Sequence, residues 1–336
     1  MAMAMRHLYI HPIIHYPFIF FFMLSSPSMA SLNLLHHLFS FRQIISLKPL
    51  YAVINAFPMT SADVILSAYF RYCNLLQTTV YLDDKHQTKL HFLATKHRTR
   101  NKHNLVLIHG FGGTAKWQFV LQIAELARDF NVYVPDLVFF GDSYSSNADR
   151  SDRFQARCVC DGLRKLGVER FSVYAISYGG FVAYRMAEMH EEMVEKLVIV
   201  SSGIVCSSES KSEHLKRLGR NVVDLLVAKT PEDLRALCRI SIHRCDFSRW
   251  IPDFFLWRFI DIREDLINGI CFQIQCCRKE KKELVMELLD EKSDVDLPVL
   301  TQETLLVWGE KDVVFPVEWG YELHSNYVEK GSNEKC

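Results

Sequence analysis

From about residue 78 onward the chain alternates short apolar runs, rich in β-branched and aromatic residues, with longer amphipathic stretches. That alternation predicts a mostly parallel sheet covered by helices. Residues 78–82 and 89–93 read as an antiparallel pair around the polar turn Asp83-Asp84-Lys85. Residues 104–109, 132–135, 171–176, 196–201 and 304–308 read as buried strands, each a short apolar run stopped by Gly, Pro, Asp or Ser. Apolar residues at helical spacing predict helices over 115–129, 152–166 and 180–190. Between 202 and 298 the strand signal vanishes, and the segment reads as an inserted helical lid. One lid helix opens at Pro231-Glu232-Asp233 after a Thr230 cap, and an aromatic run follows over 247–259. The pattern divides the chain into a leader (1–62), the first part of a core (63–201), the lid (202–298), the rest of the core (299–324) and a polar tail (325–336).

Composition narrows the function classes. The chain has 336 residues, 49% hydrophobic, with 39 basic and 39 acidic side chains, enough for one large domain or a domain with an insertion. A zero balance without a basic block argues against nucleic acid as a partner. Ten cysteines lie scattered, and a domain of this size needs no disulfide staples, so they read as reduced core thiols of an intracellular protein. The pairs Cys158/Cys160 and Cys276/Cys277 lack zinc-site spacing, so no metal is expected.

Residues 1–62 contain no Asp or Glu. Three origins stay open: a secretory signal around 18–24 with a small-residue site at Ser28-Met29-Ala30, an organelle transit peptide, or an upstream extension with Met29 as the more natural start. His11, Pro12, His15 and Pro17 break the apolar run and leave it short for a bilayer. Localisation is left open, with peripheral membrane association through this leader or the aromatic lid among the expectations.

The chemistry centres on Ser177. The strand at 171–176 ends in Ala175-Ile176-Ser177-Tyr178-Gly179-Gly180. A serine at a tight strand-to-helix turn occupies a strained backbone, and the residues two before and two after must be small. Ala175 and Gly179 meet that demand. Upstream, the strand at 104–108 runs into His109-Gly110-Phe111-Gly112-Gly113, where glycines let a loop approach a substrate. The backbone N–H groups of Phe111 and Tyr178 are the candidate oxyanion-hole donors. No phosphate-cradling GxGxxG follows a strand, so no cofactor is expected.

With Asp136 to Ser143 after the next strand, and Val307-Trp308-Gly309-Glu310-Lys311-Asp312 near the end, the chain resembles the α/β-hydrolase fold superfamily over about residues 78–323. It is most similar to lidded esterases and monoacylglycerol-lipase-like plant proteins. The resemblance implies an α/β-hydrolase fold, an acylester or hydrophobic small molecule as ligand, Ser177 as nucleophile and Asp312 as triad acid. It implies a supporting role for His109 and Gly110 in the oxyanion loop. It also implies a histidine beyond Asp312, after one more helix and strand. His324 is the histidine found there, and it reads as a helix residue badly placed for a base. His109 reads as loop-shaping. The expectation is therefore a C-terminally truncated variant with weak or no turnover. Two alternatives stand beside it: a ligand-binding protein or receptor on a hydrolase scaffold, and a carbon–carbon bond hydrolase.

Overall fold

The computed structural model describes residues 59–205, 222–241, 272–289 and 297–327, with isolated lid positions between 210 and 260. The leader up to residue 58, most of the aromatic run at 247–259 and the tail from 328 lie outside the described residues.

Eight strands form one sheet: β1 (Leu75–Tyr81), β2 (Thr88–Thr95), β3 (His103–Ile108), β4 (Phe130–Pro135), β5 (Tyr144–Ser145), β6 (Phe171–Ile176), β7 (Val194–Val200) and β8 (Glu303–Val307). The order is β1-β2-β4-β3-β6-β7-β8, with β5 paired to β2. β1 and β2 are antiparallel, β2 meets β4 antiparallel, and from β4 to β8 every pairing is parallel. The helices among the described residues are α1 (Met59–Tyr72), α2 (Ala115–Phe119), α3 (Ile123–Asp129), α4 (Asp152–Lys165), α5 (Tyr178–Met189), α6 (Val222–Leu226), α7 (Pro231–Ser241), α8 (Phe272–Leu289) and α9 (Val317–Tyr327).

The parallel strands read as continuous apolar runs because both of their faces are covered. Along β3, Leu105 and Leu107 point into one core with Phe70, Phe119 and Tyr174, while Val106 and Ile108 point into the other with Phe92, Val182 and Tyr184. That period of two places helices on each face.

The predicted strands are present, within a residue or two at their ends except β1, which begins three residues earlier than expected. The expected single helix over 115–129 is instead two. The N–H of Gln122 turns back to Phe119 O at 3.0 Å, and α3 begins afresh at Ile123. Helix α1 was not foreseen, and it crosses the boundary set at residue 62. The Thr230 cap is present, with Asp233 N–H donating to Thr230 Oγ1 at 3.2 Å and Asp233 Oδ2 accepting from Thr230 N–H at 3.0 Å. No described helix is long and apolar enough to cross a membrane.

Candidate active site

Parallel strands deliver their carboxyl ends to one edge of the sheet, and clefts for ligands open there. Five neighbouring strands place chemistry-bearing loops on that edge: Asp136 after β4, His109 to Gly113 after β3, Ser177 after β6, Ser201 after β7 and Asp312 after β8.

Ser177 is half-buried between β6 and α5, with φ 55° and ψ −123°. Such a conformation costs a non-glycine residue about 1–3 kcal/mol and persists only where the surroundings enforce it. They do so from both sides. The Ser177 N–H donates to Val200 O at 2.9 Å, and its own carbonyl accepts from Gly180 N–H at 2.9 Å. A Cβ on Gly179 would lie 2.7 Å from both Ile108 O and His109 O, so the first turn of α5 sits directly on the end of β3. A Cβ on Gly110 would lie 3.2 Å from Ser177 Cβ, so the loop after β3 packs tightly on the serine, though less closely than Gly179 on β3. Ala175 is fully buried beneath the turn.

Phe111 and Tyr178 carry the two candidate oxyanion donors, and their rings meet edge to face at 5.8 Å. Phe140 closes the group, 5.2 Å from Phe111 and 6.2 Å from Tyr178. The three rings form one aromatic cluster, in which Phe140 and Tyr178 are buried. From the lid, Lys281 on α8 sits 5.1 Å over the Phe140 ring.

His109 is fully buried, and both of its ring nitrogens are engaged. Nε2 accepts from Leu137 N–H at 3.0 Å, which leaves Nδ1 as the protonated nitrogen, donating to Gly110 O at 2.8 Å. Burial pushes its pKa below the ordinary histidine value. A neutral imidazole with both nitrogens occupied takes no proton from Ser177. It ties the loop after β3 to the loop after β4.

Asp136 performs the same task with charge. Its Oδ1 accepts from Ala115 N–H at 2.7 Å and its Oδ2 from His91 Nδ1 at 2.8 Å. Burial raises the carboxyl, but the hydrogen bond and charge of His91, with His109 and Ala115 N–H, outweigh it and hold the group below its ordinary value. His91, Asp136 and Asp142 bring their ligand atoms within 4.8 Å of one another. With the Asp136 oxygens committed to Ala115 and His91, the trio functions as an internal network joining β2 to the loops. No sequence signal pointed to His91, because its partner lies in the loop after another strand.

Asp312 lies in the turn beyond β8. Its Oδ1 accepts from the N–H groups of Val314 (2.8 Å) and Phe315 (2.9 Å), and Trp308 Nε1–H donates to Phe315 O at 2.9 Å, bracing the turn. The Ser201 hydroxyl also bonds the carboxyl, from a residue held at φ 44°. Burial is the largest influence on Asp312 and pushes its pKa up despite these donors. His324 lies half-exposed on α9. Among the described residues no histidine hydrogen-bonds Ser177 or Asp312.

The comparisons agree with this architecture. Residues 104–237 match a family model described as the alpha/beta hydrolase fold. An uncharacterized protein of Mycobacterium tuberculosis is 37% identical over 229 residues, a match covering 66% of this chain and 65% of the relative. A 2-hydroxy-6-oxononadienedioate/2-hydroxy-6-oxononatrienedioate hydrolase of a Pseudomonas species is 28% identical over 230 residues, covering 65% of this chain and 75% of the enzyme. Among solved structures, a bacterial membrane phospholipase A superposes with a TM-score of 0.59 at 22% identity, covering 87% of this chain and 89% of that one. With its sheet order, its serine turn and these matches, the chain belongs to the α/β-hydrolase fold superfamily.

Proposed function

We propose that this hydrolase-fold chain cleaves carboxylic esters, with lipid-like esters as the preferred class, through Ser177. The observation that carries the proposal is the strained backbone of Ser177 with Gly110 packed against it. Strain held from both sides at one exposed-edge serine is a device for presenting a hydroxyl beside two backbone N–H groups. In this scheme Ser177 Oγ attacks the ester carbonyl. The N–H groups of Phe111 and Tyr178 receive the developing oxyanion, and the Asp312 carboxylate stabilises the cation formed when a base takes the serine proton. The half-buried Phe111 ring, backed by Phe140 and Tyr178, supplies an apolar surface that suits an acyl chain. A membrane phospholipase A with the same fold supports a lipid ester.

Carbon–carbon bond hydrolysis is the second proposal, favoured by the 28% identity to a hydrolase of that kind. Both reactions use the same serine. A fluorophosphonate probe followed by peptide mapping tests the shared core: label is expected on Ser177 and is lost in Ser177→Ala. Label elsewhere, or equal label in the variant, would remove Ser177 from the chemistry. Turnover of p-nitrophenyl acyl esters against a vinylogous 1,5-diketone then separates the two substrate classes.

A further inference from the structure

We propose that Gln155 on α4 is a positioning residue for the oxyanion hole, acting through a two-bond clamp on the backbone of Val138; this rests on the ester-hydrolase function proposed above. Gln155 is fully buried in the first turn of α4, where Ser151 Oγ caps the helix by accepting from Phe154 N–H at 3.1 Å. Its Oε1 accepts from Val138 N–H at 2.8 Å, and its Nε2 donates to Val138 O at 3.0 Å. The partners fix which way the amide faces, because an N–H only donates and a carbonyl only accepts.

The clamped residue lies inside a buried and strained turn. Leu137, Val138, Phe139 and Phe140 are each at most 1% exposed, so water does not reach the Val138 groups and the Gln155 amide satisfies them in its place. Phe140 N–H donates to Leu137 O at 2.9 Å to close the turn, and Phe139 sits at φ 74°. That region is unfavourable for a bulky side chain and persists only where neighbours enforce it. Gln155 grips the residue directly before Phe139, and His109 Nε2 grips the one before that through Leu137 N–H.

What the strained turn delivers is the ring of Phe140. That ring meets Phe111 at 5.2 Å, His109 at 5.3 Å and Tyr178 at 6.2 Å. Phe111 and Tyr178 carry the two candidate oxyanion donors, so one ring touches both of the residues whose N–H groups must converge on a single oxygen. Such donors act only when they are held in place before the charge develops. The lid loads the same turn from its other side, with Arg150 4.4 Å over Phe139 and bonded to Glu283 of α8, and Lys281 of α8 5.1 Å over Phe140. Gln155 is thus the fixed support of a turn set between lid and oxyanion loop, and its effect on the chemistry passes through Val138 and Phe140.

The test uses the full chain, with fluorophosphonate labelling of Ser177 and hydrogen exchange read by mass spectrometry. In Gln155→Glu the carboxylate still accepts from Val138 N–H but sets an oxygen against Val138 O, and protonation restores the missing donor. The labelling rate relative to wild type is expected to be about tenfold lower at about pH 8 and to recover toward wild type by about pH 5. Taking the ratio cancels the charged and titratable groups around the turn that both proteins share, among them His91, His109, Asp136, Arg150 and Lys281. Exchange over 109–113 is expected to quicken in Gln155→Glu at the higher pH. Phe140→Leu keeps the clamp and removes the ring, and is expected to slow labelling by a similar factor; it supplies the answer even where the glutamate variant does not fold. A relative rate that stays flat with pH, unchanged exchange over 109–113, or wild-type labelling in Phe140→Leu each overturns the proposal and leaves Ser177 as nucleophile. A wild type that takes no label overturns the ester-hydrolase function, and the role of Gln155 with it.

Discussion

At the residue scale, Ser177 and Asp312 share a property: each is held in a state that costs stability. The serine holds its strained dihedrals. The aspartate is a carboxyl whose burial raises its pKa even with two N–H donors on one oxygen. The sign of the second cost can be worked out. A carboxyl raised in the folded state contributes stability while protonated and loses it as pH rises through the folded value. At neutral pH the ionised Asp312 is therefore a burden on the fold. Asp312→Asn keeps an oxygen for Val314 and Phe315 and removes the buried charge. It is expected to raise the melting temperature by roughly 2–4 °C at pH 7 while lowering ester turnover at least about 100-fold. The two proteins should converge below pH 3.8, the ordinary carboxyl value. Thermal melts across pH check this, and a variant that is less stable at pH 7 would show that the charge is fully compensated.

Among elements, the contact between the first turn of α5 and the end of β3 decides how the site is built. Gly179 is required because two carbonyls, those of Ile108 and His109, lie where a side chain would start. Gly179→Ala sits in a helix, where alanine is ordinarily the better residue. Here the overlap is with backbone, so a loss of about 2 kcal/mol is expected instead, read from urea unfolding. A neutral or stabilising effect would mean that α5 can shift off the sheet. The glycines, the serine and the buried strands were legible in the sequence because each answers a local demand: small residues around a strained turn, and unbroken apolar runs where both faces are covered. The division between α2 and α3 was not legible. Val120-Leu121-Gln122 contains no Gly or Pro, and its apolar spacing continues through the break. Nor was the pairing of His91 with Asp136, since residues far apart in sequence meet only when the sheet order is known. The network around Asp136 shows the same limit: its motif was visible, its role as anchor of Ala115 was not.

At the scale of the whole molecule, Arg150 ties the core to α8. Arg150, from the loop before α4, lies 4.4 Å over the Phe139 ring and donates from Nε to Glu283 Oε2 on α8 at 2.9 Å. With the guanidinium side chain only 15% exposed, the contact is more than a surface pair and contributes roughly 1–2 kcal/mol. Arg150→Ala is expected to leave core melting unchanged and to speed proteolytic cleavage within 272–289 about tenfold, because local opening of the lid becomes easier. Unchanged cleavage would show that α8 is held by its other contacts, the buried Cys277, Leu284 and Val285 and Lys281 over Phe140.

The sheet order also has a consequence for synthesis. Domains emerge from the ribosome amino end first, so β6 and the serine turn are made well before β8 and the Asp312 turn, with the whole lid between them. The nascent chain can already hold its unfavourable serine dihedrals, since Val200 follows closely and offers the carbonyl that secures the Ser177 amide. The serine turn is thus shaped early, while the Asp312 turn takes its place only when β8 docks against β7. Under the proposed function, serine and acid come together only late in synthesis.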